Sequence, residues 1–350
     1  MGNHAPLYFF MHTPTPVTPL TVAAAEHGMK LISFLARRLE NSASTSELHR
    51  WIRTGQVRVN GKRAAAFDRV ATGDAVRLPP FASPAARHEA KDISVAPGDI
   101  LGGTLRVLAV TPDFLALEKP VGIPSQPGTK QDTSVSGILR DHFAGAAYIP
   151  APAHRLDKPT SGILLAGRTH NAQERLHALF ARDSGTPGNA QGNASGNALG
   201  NTPGDTSMEK VYLAWVCGAW PHADEQTLSD RLAKEAGPGT GYETVQASGS
   251  EGARDARSCV SHITTRTMPF GDASLLRVVL ETGRTHQIRV QLAIRNFPII
   301  GDLKYGGRAF SPMLLHAYAL SFPWNGESVS ICSPPPWPEP FAVALPPFVA

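Results

Sequence analysis

The chain has 350 residues, 42% of them hydrophobic, and a net charge of +4, which suits a globular protein of two domains. Its three cysteines, Cys217, Cys259 and Cys332, are too far apart for a disulfide framework or a zinc motif, so a reducing cytoplasm is expected. The thirteen histidines show no metal-binding spacing, and no apolar run approaches the roughly 20 residues of a membrane span.

Residues 1–27, rich in Pro and Thr, read as an irregular leader. A compact unit then spans 28–82. Leu31, Ile32, Leu35 and Leu39 recur at helical spacing. Ser46 is the expected cap of a second helix, with Leu48, Trp51 and Ile52 on its apolar face and Gly55 as its stop. Val57 and Val59 alternate with polar residues and run into Asn60-Gly61, a strand and a tight turn. Gly73-Asp74, Val76 and Leu78 supply another turn and strand. Between Gly28 and Pro80 stand ten bases and four acids, a net charge of +6, so the positive charge of the whole chain is concentrated here. Such a face suits phosphate contacts, with Arg37, Arg38, Arg50, Arg53, Arg58 and Lys62 as candidates. The alternative is an ordinary solvated helical face.

The strings Leu31-Ile32-Ser33-Phe34-Leu35-Ala36-Arg37-Arg38, Trp51 to Lys62, and Gly73-Asp74-Ala75-Val76 resemble the alpha-L (S-four-type) RNA-binding module. The resemblance implies RNA as the partner.

Residues 83–104 have no period and read as a linker. A second domain spans 105–332, opening with strand signals at Arg106–Val110 and Phe114–Glu118. Lys119 to Pro124 reads as a turn and Val135–Phe143 as a helix. Then comes His154-Arg155-Leu156-Asp157-Lys158-Pro159-Thr160-Ser161-Gly162 before the apolar run Ile163-Leu164-Leu165. An Asp on a turn feeding a buried strand is held at a site's edge, or simply caps the turn. Thr169 is the expected cap of a helix striped by Ala172, Leu176, Leu179 and Phe180. Residues 183–207 are a low-complexity loop, and Ala236–Arg257 a second Gly- and Ser-rich loop. Strand Glu209–Gly218 puts Lys210 and Tyr212 on one face. Ser274–Glu281 is a strand, Ile288 and Leu292 mark a helix, and Leu314 to Phe322 a late strand. The proline-rich tail 333–350 should be irregular.

No P-loop, dinucleotide fingerprint, G-x-S-x-G elbow or glycosidase-type carboxylate pair is present. The string His154 to Gly162 resembles the signature of RluA-type pseudouridine synthases. Leu117–Pro124, Lys210-Val211-Tyr212-Leu213-Ala214, Thr282–Arg289, Gly301-Asp302 and Tyr305-Gly306 resemble that family's other motifs, in the same order. Lys158-Pro159 departs from the usual basic-acidic pair. The resemblance implies an α+β fold, with a mixed, mainly antiparallel sheet flanked by helices, and an isomerase converting uridine in RNA to pseudouridine without cofactor or metal. Asp157 is then the nucleophile, or the base for a ribose proton in a glycal route. Arg284 keeps Asp157 ionised, and Tyr212 faces the base and is a candidate for removing its C5 proton. Arg155 and Lys210 bind substrate, Arg155 by filling the gap left by the extruded base. His154, His286, Gln287 and His316 are read as structural. Large-subunit ribosomal RNA is the expected target, with transfer RNA or a non-catalytic ribosome-assembly role as alternatives. A monomer is expected, with no membrane partner.

Overall fold

The structure is a computed structural model and describes residues 19–39, 43–79, 93–127, 133–183, 208–236, 243–247, 253–269 and 271–344. Most of the leader, the linker's first half, the low-complexity loop from 184 and the last six residues lie outside them. The chain forms two compact units that divide near residue 92, with Gly145–Tyr148 counting with the first.

In the first unit, β1 (Leu20–Thr21) and β2 (Arg58–Val59) flank β3 (Ala75–Arg77) in an antiparallel sheet. Beside it stand α1 (Leu31–Arg38) and α2 (Thr45–Arg53). Phe34, Leu35, Leu48, Trp51 and Val76 are buried in one core. Ser44, not Ser46, caps α2: its Oγ accepts the Glu47 N–H, and the Glu47 carboxylate accepts the Ser44 N–H at 2.8 Å. Asn60 and Gly61 both have positive φ, as the hairpin turn requires. The end of the expected leader belongs to this unit. Leu20 pairs with Val76, and the buried Glu26 accepts two hydrogen bonds from Arg38, each 2.7 Å. Arg38 is therefore committed within the protein, and Arg37 lies 3.9 Å over the ring of Tyr148. Arg50, Arg53 and Lys62 are exposed, whereas Arg58 is half-buried and donates to the Gly61 carbonyl.

The second unit is built on a sheet of twelve strands among the described residues. In chain order they are β4 (Ile100–Leu101), β5 (Leu105–Val110), β6 (Phe114–Lys119), β7 (Ala151–Pro152), β8 (Ser161–Gly167), β9 (Glu209–Cys217), β10 (Gln226–Ala236), β11 (Glu243–Ala247), β12 (Arg254–Arg266), β13 (Ala273–Leu280), β14 (Leu315–Trp324) and β15 (Glu327–Cys332). The main path runs β11-β10-β12-β13-β9-β14-β8-β6-β5-β4, with β15 on β14 and β7 on β8. Only the β14–β8 pairing is parallel, so the sheet is mixed and mainly antiparallel. With α3 (Val135–His142), α4 (His170–Asp183) and α5 (Gln287–Ala293), the fold is α+β.

Several strands differ from the sequence reading. β4 takes the end of the expected linker. The Gly- and Ser-rich stretch from 236 holds β11 and the start of β12, and β10 and β15 had no local signal. These strands owe their conformation to cross-strand pairing, which a window of sequence does not contain. The described part of the tail, to residue 344, is irregular but packed: Trp337 and Phe341 are buried, and Trp215 Nε1 donates to the Phe341 carbonyl at 3.1 Å.

The centre of the sheet positions the site. β8 is buried along its whole length, and its Gly162 lies opposite Ala317 of β14. Gly162 has φ +115°, and a Cβ there would overlap the Ala317 backbone. Only glycine permits this close parallel approach. Next to it, Ser161 Oγ meets His316 Nδ1 at 2.8 Å, and His316 Nε2 meets the Ser333 carbonyl at 2.9 Å. The carbonyl fixes the proton on Nε2, so the neutral ring accepts from Ser161; burial lowers its pKa to about 4.

Candidate active site

Asp157 sits on the turn entering β8, where the Thr160 N–H donates to its backbone carbonyl at 3.0 Å. The turn is held from below by Lys119 at the end of β6. This lysine is fully buried, and its Nζ donates to the carbonyls of Pro120, Ile123 and Lys158 at 2.9, 2.8 and 3.3 Å. Burial lowers its pKa to about 8, partly offset by the charge of Asp157. Ser125 Oγ accepts the Leu156 N–H at 3.0 Å and donates to the Leu156 carbonyl at 3.1 Å. The backbone of Lys158 thus anchors the turn, while its side chain is exposed.

The cation paired with Asp157 is Arg289, in the first turn of α5. Its Nη1 donates to Asp157 Oδ2 at 3.1 Å, while Nε and Nη2 engage Asp302 at 2.7 and 2.8 Å. Asp302 is buried, so a bidentate pair locks the guanidinium in place. Burial opposes the Arg289 charge, but Asp302, with Asp157 behind it, outweighs burial and raises its pKa.

Arg284 does not take that place. It lies before the helix begins, and its Nε donates to the Asp255 carbonyl of β12 at 2.9 Å. Arg284 and Arg289 stand in one motif string, and it is the second that meets Asp157. Helical phase carries no signal for this choice, because residues 287–292 of the helix are all buried.

His286 comes into the site between these two arginines. Its backbone is left-handed, φ 55°, a conformation uncommon for a non-glycine residue. Its Nδ1 lies 2.7 Å from the Tyr305 hydroxyl, and its Nε2 3.7 Å from Asp157 Oδ2. Burial lowers its pKa, with Asp157 pulling the other way. Gln287 secures the loop, its Oε1 accepting from the Arg284 N–H and the Thr282 hydroxyl and its Nε2 donating to the Arg257 carbonyl.

A cleft of about 290 Å³ opens over Asp157. Arg155, Lys210, Tyr212, Arg284, His286 and Arg289 line it, so all five residues expected to act on substrate meet here. Tyr212 projects from β9, and burial, then the Asp157 charge, raises its pKa, which keeps the hydroxyl protonated. Lys210 is nearly buried on the same face, and Arg155 is exposed at the opening. His154 accepts the Leu165 N–H at 3.1 Å and stacks on Phe180 at 4.1 Å. Burial, with Lys210 nearby, lowers its pKa to about 3, so it is a neutral structural acceptor.

The sequence profile of the family described as RNA pseudouridylate synthase matches residues 113–294, over half of the chain. The chain belongs to that family. It is an RNA pseudouridine synthase, an isomerase converting uridine in RNA to pseudouridine. It is 30% identical to ribosomal large subunit pseudouridine synthase C of Salmonella typhimurium over 338 residues, covering 93% of this chain and 95% of that one. The protein of the same name from Escherichia coli K12 is 30% identical with the same coverage. An uncharacterized RNA pseudouridine synthase of Bacillus subtilis, YlyB, is 29% identical over 329 residues, 91% of this chain and 94% of that one. Among solved structures, human RNA pseudouridylate synthase domain containing 1 shares the fold, with a TM-score of 0.52 and 24% identity over 67% of this chain and 84% of that chain. No helix among the described residues of this synthase is long and apolar enough to cross a membrane.

Proposed function

We propose that the synthase modifies large-subunit ribosomal RNA, with Asp157 as the group that acts on the ribose. The observation that carries the chemistry is the arrangement of the Asp157 carboxylate. Oδ2 faces Arg289 and His286, whereas Oδ1 takes part in neither contact. One oxygen is thereby oriented and the other left to attack the sugar carbon or to take its proton. The extruded uracil lies against the flat face of Tyr212, whose protonated hydroxyl donates to it. Arg155, exposed at the opening, fills the gap in the RNA stack, and Lys210 contacts the substrate from the floor.

The first unit, residues 28–82 with the strand that precedes it, acts as an S-four-type RNA-binding module. Arg50, Arg53 and Lys62 carry that role, with Arg58 and Arg37 at its edge. Arg38 is withdrawn from the list by its pairing with Glu26. The ribosomal target rests on the relatives' names, together with their coverage of nearly the whole chain. A monomer working in the cytoplasm fits this role.

Mapping pseudouridine across ribosomal and transfer RNA, in cells with the wild-type protein and with Asp157→Asn, tests the reading. At least one large-subunit position should lose its pseudouridine in the variant. Loss confined to transfer RNA would overturn the target, and full modification by Asp157→Asn would overturn the role of Asp157.

A further inference from the structure

Arg284, displaced from Asp157, has a second arginine for company. Its Nε is spent on the Asp255 carbonyl, which holds the guanidinium against the start of β12 and leaves both Nη groups outside that bond. The neighbouring residue on β12 is Arg254, which is exposed. Strand alternation puts Arg254 on the same face as Ala256 and Ser258. That face packs against α5, where Gln291 accepts from Ser258 Oγ at 2.8 Å and donates to the Ala256 carbonyl at 3.1 Å. Arg254 and Arg284 therefore stand on the same side of the sheet as the Asp157 cleft. Asp255 projects from the opposite face, where its carboxylate lies 3.9 Å from Arg231. Burial, and then the charge of Arg254, weaken the Arg284 cation, with Asp255 opposing. Two like charges held together in this way are relieved by an anion.

The loop between them is open to a ligand. Gly283 lines the cleft, and a Cβ built on it meets nothing within 4 Å. A polynucleotide whose uridine enters the cleft must carry its flanking phosphates past this opening.

We propose that Arg254 and Arg284 form a clamp for a phosphodiester flanking the target uridine, with the Gly283 backbone giving it room to approach. Arg284 is thus a substrate-binding residue rather than the partner of the catalytic carboxylate. The planar guanidinium fork suits phosphate oxygens, and tethering Nε to the backbone aims its Nη groups outward. The clamp acts on whichever RNA the synthase modifies, so it does not depend on the ribosomal target.

The full-length protein is tested with an RNA that it modifies, comparing wild type, Arg254→Ala, Arg284→Ala and Arg284→Lys. Each alanine variant should weaken RNA binding about tenfold and remove part of the slope of log affinity against log salt that one neutralised phosphate supplies, about 0.7–0.9. The loss should appear in kcat/KM, with kcat falling less than twofold. Arg284→Lys should recover the slope but only part of the affinity. A neutral methylphosphonate replacing the phosphate on one side of the target uridine should weaken wild type and leave the alanine variants little further affected. Unchanged salt slopes, or equal sensitivity of wild type and variants to methylphosphonates on both sides, overturn the clamp. Collapse of kcat with intact affinity in Arg284→Ala would return Arg284 to the chemistry. Modification of transfer RNA but not ribosomal RNA would overturn the target and leave the clamp standing.

Discussion

Arg289 Nη1 reaches Asp157 Oδ2 at 3.1 Å across 132 residues of sequence, while its other two donor groups are locked on the buried Asp302. This makes Asp302 a positioning residue for Asp157. Arg289→Ala leaves a carboxylate buried without its cation, at a cost on the order of 3–5 kcal/mol. The expected result is a clear fall in the urea midpoint and a loss of kcat of about a hundredfold or more. Arg289→Lys should fold better but remain slow, because a single ammonium cannot hold both carboxylates in this geometry. Asp157→Asn should abolish isomerisation and leave RNA affinity within about threefold of wild type, since its amide keeps the shape of the site.

The His286–Tyr305 contact predicts a pH signature. His286 is surrounded by Asp157, Arg289, Lys304 and Asp302, and burial keeps its pKa below the usual value. It is therefore neutral at pH 7 and becomes charged only below about pH 6.5. A charged ring carries protons on both nitrogens and draws Asp157 Oδ2 more strongly. The wild-type kcat should therefore fall on acidification below that pH. His286→Gln should be slower at pH 7, by about tenfold, and should lack that acid limb. If its pH profile matched wild type, the titrating group would lie elsewhere.

Gly162 offers a test of packing alone. Alanine there needs both a rare backbone conformation and a shift of β14 at Ala317. A loss of about 3 kcal/mol or more is expected, measured as a fall in the melting temperature of the full-length protein. Wild-type melting behaviour in Gly162→Ala would mean that the two strands can separate at little cost.

Buried His316 and half-buried His154 contribute to the acid stability. His316 and His154 have pKa values lowered to about 4 and about 3 in the fold, against about 6.5 when unfolded. The unfolded chain binds their protons first, so stability is full above pH 6.5 and declines as the pH falls toward 4 and then 3. At about 1.4 kcal/mol per pKa unit, His316 contributes up to about 3 kcal/mol and His154 up to about 5 kcal/mol to that decline. His316→Gln, which can still bond Ser161 and Ser333, should show a shallower dependence in denaturant titrations between pH 6.5 and 4.

The basic unit makes an electrostatic prediction. Arg50→Ala and Arg53→Ala should each weaken RNA binding and lower its salt slope. Arg38→Ala should instead lower the stability of the unit, because it strips the buried Glu26 of its partner. A reversal, with Arg38 changing the slope and Arg53 changing only stability, would overturn the assignment.

Residues whose role depends on near neighbours were readable from the chain. The helices at 31 and 45, the Asn60-Gly61 hairpin, the buried run after Asp157 and the Lys210/Tyr212 face all follow from periodicity and turn chemistry. The cap falls at Ser44, two positions before the expected Ser46, because several serines near a helix start compete for the same backbone donors. β10, β11 and β15 carried no local signal, since their conformation is imposed by the strands beside them.

Sequence order brought the motifs of Asp157, Tyr212 and Arg284 to Arg289 into view, and with them the chemistry. It could not show which arginine of that string would meet the carboxylate. That choice depends on where α5 begins and on Asp302, a buried anion that captures one guanidinium and steers its remaining donors to Asp157. Ion pairing falls off over a few ångströms, so it is decided by how distant segments pack rather than by their spacing along the chain.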